Sequence, residues 1–138
     1  MVRVLGLECP LDVFRRPNEI EESAFDEVWK RATLKDDGVY LPDAIDLLLS
    51  KQDTARDHDF EDIHFLEAKI RRNLGDQLAV ATPEEAAAIF ARYVDHVVCE
   101  RALTNPHPEV QAQAGALLTE LAESGDWFAR DVLARGEG

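Results

Sequence analysis

The chain has 138 residues, 46% hydrophobic and 31% charged, enough for one folded domain with a core of its own. Its 28 acidic residues outnumber 15 basic ones and set the formal charge at −13. That charge argues against a nucleic-acid partner, because such affinity rests on lysine and arginine displacing counterions from phosphates.

The first fourteen residues, MVRVLGLECPLDVF, make a poor signal peptide, and no apolar run approaches the roughly 20 residues of a membrane span. A cytoplasmic protein is expected. The same segment predicts one or two short strands, with LDVF (11–14) the clearer, and Pro10 limits it to a strand start or an edge. Cys9 and Cys99 are far apart, belong to no CxxC pair, and are expected to be small buried apolar residues.

Ser23 can cap a helix over 24–32 in which Phe25 and Trp29 share a face. Asp36-Asp37-Gly38 is a turn signal, followed by a short strand over 39–41. From Pro42 the chain is predicted helical. One helix covers Pro42 to about Asp53, and a second runs from about Asp59 to Leu74, closed by Gly75. Thr82-Pro83-Glu84-Glu85 forms a capping box that opens a helix predicted to reach about Leu103. A further helix starts within "NPHPEV" (105–110) and ends at Gly125. Asp126 opens the last one, with Trp127 and Phe128 expected to tuck onto the bundle. Ile89, Phe90, Tyr93 and Val97 form one apolar stripe and Val110, Ala114, Leu117 and Leu121 another, both read as core. The predicted architecture is α+β, mainly α: a small N-terminal β-sheet or hairpin followed by about five helices in a bundle, all in a single domain.

The chemistry is concentrated in "SKQDTARDHDFEDIHFLEA" (50–68), where five carboxylates fall between Asp53 and Asp62. On a helical wheel Lys51 lies inside the apolar arc of Ala44, Ile45, Leu47, Leu48 and Leu49. On the next helix Asp59 shares the side of Phe60, Ile63, Leu66, Ile70 and Leu74, and Asp62 borders it. An unpaired half-buried ammonium is costly, so Lys51 is expected to meet Asp59 or Asp62. Two readings follow: an ion pair that pins two helices, or a cleft in which lysine and carboxylates hold phosphate or metal. The His58-Asp59 pair is similar to that of metal-dependent phosphohydrolases. Those need a further upstream histidine, and none of His58, His64, His96 and His107 supplies it, so no metal site is expected.

The stretch LPDAIDLLLSKQDTARDHDFEDIHFLE (41–67) resembles a segment of bacterial nucleotidyltransferase-fold proteins of the abortive-infection and antitoxin type. Asp46-Leu47, Lys51, Arg56, His58-Asp59 and Asp62-Ile63 stand at that family's spacing. The preceding Leu11-Asp12-Val13 strand, the tryptophan-bearing helix and the hairpin around Gly38 follow its order. The resemblance spans about residues 1–74, leaving 75–138 as a helical extension. It implies that Lys51 matches a phosphate-facing lysine, Asp59 and Asp62 the late carboxylates, and Asp12 the last acid of the metal-binding strands. Arg56 and His58 become binding residues, although His58 stands where the family carries lysine or arginine, which weakens anion binding above neutral pH.

The family's Gly-Ser or Gly-Gly turn, followed by Asp-x-Asp, has no counterpart here. Phosphoryl-type transfer needs those carboxylates for Mg²⁺, so a protein that is non-catalytic alone is expected. It would act through a protein partner or as a homodimer, in an antitoxin-like or regulatory role. The alternative is a nucleotide-binding protein or nucleotidyltransferase that takes Mg²⁺ with nucleotide at Asp12, Lys51, Asp59 and Asp62.

Overall fold

A computed structural model describes residues 2–6, 11–13, 21, 24–54 and 59–136, with the backbone alone at 2–4, 11–13, 53 and 54. Strands β1 (Val2–Val4) and β2 (Leu11–Val13) form an antiparallel hairpin in which Asp12 stands opposite Arg3. Helix α1 (Phe25–Arg31) leads into a second hairpin, β3 (Thr33–Leu34) and β4 (Tyr40–Leu41), which turns at Gly38 with φ +82°. Among the described residues six helices follow: α2 (Ala44–Thr54), α3 (Asp59–Leu78), α4 (Pro83–Phe90), α5 (His96–Ala102), α6 (Pro108–Glu123) and α7 (Trp127–Gly136). The fold is α+β and mainly α, as predicted. None of the described helices is long and apolar enough to cross a membrane.

The chain divides into two compact units, Met1–Leu66 and Glu67–Gly138, and α3 runs across the division. In the first unit Val28, Ile45, Leu48 and Leu66 are buried. In the second, α6 packs against α4, α5 and α7, and α5 against α7. Its core gathers Leu78, Phe90, Val98, Cys99, Val110, Ala114, Leu118 and Val132. Cys99 is a fully buried free thiol, as expected of it, and desolvation pushes its pKa up to about 12. Cys9 lies outside the described residues.

Local signals hold where the partners are close in sequence. The Thr82 hydroxyl accepts from the Glu85 N–H at 3.3 Å, the Glu85 carboxylate accepts from the Thr82 N–H at 2.9 Å, and Pro83 opens α4. Gly125, at φ +107°, ends α6 in a conformation that a Cβ would strain. The Asp126 carboxylate caps α7 by accepting from the Ala129 N–H at 3.0 Å. That bond, more than the His96 imidazole 3.2 Å away, holds the Asp126 carboxyl below its ordinary pKa. A lowered carboxyl pKa contributes stability that is present at neutral pH and is lost as pH falls through the lowered value. Asp126→Ala is therefore expected to cost about 1 kcal/mol at pH 7. A urea titration repeated at decreasing pH should show the variant converging on the parent chain at the acid end.

Several boundaries differ from the sequence reading. The helix predicted from 83 to 103 is two, α4 and α5. Asp95 is extended at φ −149°, and its side chain accepts from the Val98 N–H at 2.9 Å, starting a new helix at His96. Gly75 does not close a helix. It lies inside α3, where a Cβ would come within 3.1 Å of the Arg101 side chain, so its smallness serves the approach of α5. Helix α2 begins at Ala44 instead of Pro42, with the Asp43 carboxylate accepting from the Ile45 N–H at 3.0 Å. On α1 the inward residue is Val28, whereas Trp29 is half exposed and rests on Tyr40 at 4.8 Å between ring centroids. Ser23 lies outside the described residues, and the N-cap of α1 is Ala24, which gives no side-chain bond. Trp127 and Phe128 are exposed, and α7 is seated by Ala129 and Val132.

Candidate functional site

Lys51 occupies the last turn of α2 and Asp59 and Asp62 the first turn of α3. The peptide dipoles favour a cation at the first of these ends and anions at the second, so local electrostatics already prepares the meeting. The Lys51 Nζ stands 2.6 Å from Asp62 Oδ2 and 3.4 Å from Asp59 Oδ1. The wheel required one acid; the structure supplies both. Their pull, led by the Asp62 hydrogen bond, raises the Lys51 pKa. That contribution is whole below the ordinary lysine value of 10.5 and is lost as pH rises through the raised one.

Distance and burial rank the two acids differently. Asp62 makes the shorter contact, but its side chain is 56% exposed, against 9% for Asp59. Solvent screens an exposed pair to about 0–1 kcal/mol, so Asp59 carries most of the structural consequence. Asp62→Asn is expected to cost less than about 1 kcal/mol. Lys51→Met should cost about 2–3 kcal/mol, less than a wholly stranded charge would, because Asp59 also sits at a helix N-terminus. The urea midpoints of the two variants check the ordering.

For the other predicted site residues the structure gives less. Asp12 is placed by the β1–β2 pairing, and its side chain is not described. Arg56 and His58 lie outside the described residues. His64 is exposed on α3. Among the described residues no three histidine, cysteine, aspartate or glutamate side chains are grouped as a metal ion would need.

The Arg31–Asp46 and Arg71–Asp95 ion pairs escaped the sequence reading. Asp46 is buried, and Arg31 at the end of α1 grips it with both ends of its guanidinium, Nε to Oδ2 at 2.9 Å and Nη2 to Oδ1 at 2.8 Å. An acid between Ile45 and Leu48, both buried, was the available signal. In the second unit Arg71 Nε donates to Asp95 Oδ2 at 2.6 Å, and the Tyr93 hydroxyl donates to the same oxygen at 2.8 Å. Burial and that carboxylate drive the Tyr93 phenol far above its ordinary pKa. The signal there was Asp95 itself, an N-cap residue type inside a supposed helix.

Chemically, among the described residues the Lys51 cluster is one cation between two anions, its ammonium engaged by both acids. Comparison of the chain with protein-family models, curated proteins and solved structures finds no match.

Proposed function

We propose that this protein acts by binding another protein chain, in an antitoxin-like or regulatory role, and not by catalysis of its own. The observation that carries the reading is the Lys51 ammonium held between Asp59 and Asp62. A phosphate entering there would have to displace a 2.6 Å contact and then face two carboxylates. Like charges at such range oppose binding. The antitoxin-like role itself comes from the resemblance of residues 41–67.

A second feature of the first unit supports an interaction role. Trp29, Leu34, Tyr40 and Leu41 are each about half exposed on α1 and the β3–β4 hairpin. Aromatic residues are enriched at protein interfaces, and a two-stranded hairpin has edges open to further pairing. A second copy of this chain is the partner proposed for that face. Sedimentation velocity across micromolar concentrations tests it. The expected result is a concentration-dependent dimer that Trp29→Ala with Tyr40→Ala abolishes. A strict monomer at every concentration would overturn the reading.

A further inference from the structure

Within the second unit, α3 and α5 approach at Gly75 and Arg101 and leave a groove of about 390 Å³ beside the contact. That volume suits a small ligand. Three of the chain's eleven arginines, Arg71, Arg72 and Arg101, line it, with Asp76, Glu100 and Thr104. Guanidiniums grouped around one small space repel one another where carboxylates do not offset them, and a bound anion relieves what remains. They also stand out in a protein of charge −13.

The partners already present sort the groups by availability. Arg71 is fixed on Asp95 at 2.6 Å. Arg101 is held only loosely, 3.6 Å from Asp76 with both side chains more than half exposed. Arg72 has no hydrogen bond or ion pair among the described residues and is exposed. Arg72 and Arg101 are therefore the cations open to a ligand. Guanidinium forks match the oxygens of a phosphate, each able to give two parallel hydrogen bonds. Glu100 is turned to Arg135 at 3.1 Å, and Asp76 is exposed at the groove. Two carboxylates in the lining disfavour a polyanion but can accept hydrogen bonds from hydroxyl groups.

We infer that this groove binds a small phosphate monoester that carries hydroxyl groups. The phosphate lies between Arg72 and Arg101, and the hydroxylated remainder faces Asp76 and Glu100. The site is separate from the Lys51 cluster and does not depend on the interaction reading above.

Isothermal titration of the whole chain with ribose 5-phosphate, inorganic phosphate, ribose and malonate tests the inference. The expected result is saturable binding of both phosphates, tighter for the sugar phosphate, with ribose and malonate silent. Arg72→Ala and Arg101→Ala should each weaken binding about tenfold. Lys69→Ala removes an equal charge from an exposed position of α3 outside the groove and should leave binding within about twofold. The Arg101 stem covers Gly75, so Arg101→Ala can loosen packing; Arg72 is exposed, and its variant keeps the test decisive. Absence of saturable phosphate binding, malonate binding as tight as ribose 5-phosphate, or an Arg72→Ala chain that binds unchanged would each overturn the inference.

Discussion

Replacing Asn105 with alanine is expected to destabilise the second unit by about 3–5 kcal/mol. Asn105 is fully buried, and its whole amide is in use. Its Nδ2 donates to the carbonyl oxygens of Leu78 at 2.6 Å and Ala81 at 2.9 Å, and its Oδ1 accepts from the His107 N–H at 2.7 Å. The side chain thus joins the end of α3 to the start of α6 through the segment before α4. Alanine leaves two carbonyls and one N–H without partners, each worth about 1–3 kcal/mol if no water replaces them. Asn105→Asp keeps the shape but sets an acceptor against two carbonyl oxygens, so it should be at least as damaging. Urea denaturation followed by circular dichroism measures both. A loss below about 1 kcal/mol for alanine would mean that the carbonyls are satisfied elsewhere.

The second large effect belongs to Arg31. Arg31→Ala is expected to cost about 3–5 kcal/mol in the first unit, because it leaves the Asp46 carboxylate, only 5% exposed, without its bidentate partner. The informative comparison is Arg31→Met with Asp46→Leu. Removing both charges together avoids a stranded ion, and such apolar replacements of buried pairs are often neutral or better. The double variant should therefore be more stable than Arg31→Ala alone. Fluorescence of Trp29, in a Trp127→Phe background so that it reports alone, follows the unit that contains the pair. Separate probes are needed because two units need not unfold in one step.

These two anchors show where sequence reasoning reaches and where it stops. The capping box at Thr82, the turn at Gly38 and the stop at Gly125 were legible because each is written within a few residues. The meeting of Lys51 with Asp59 and Asp62 was legible because two helix wheels and a short connection leave the ammonium few alternatives. Asn105 was read only as part of a helix start, since its partners lie 24 and 27 residues back and have no periodic signature. Gly75 was read as a stop because a glycine late in a helix looks alike whether it ends the helix or admits a neighbour; only Arg101 across the gap distinguishes them. On α2 the wheel put Leu49 inward, yet it is half exposed and Asp46 is buried in its stead. Helix periodicity identifies a face, but a specific charge partner on α1 moved that face.

The arginine groove was not legible at all. In a chain of charge −13 the Arg71-Arg72 doublet is by itself too short a basic run to signal a site. Its neighbour Arg101 lies on another helix, and the break at Asp95 that frees α5 to pack there was not predicted.

The most direct measurement is thermal melting with ATP, CTP or GTP and Mg²⁺, made in an Arg72→Ala background so that the groove does not contribute. A nucleotide held at a hundred times its dissociation constant adds about 2.7 kcal/mol, a rise of roughly 10 °C for a chain of this size. With the position-51 amine committed to its two aspartates, no nucleotide should move the midpoint. A rise of that order that vanishes in Lys51→Ala would show a phosphate-facing lysine and contradict the non-catalytic reading.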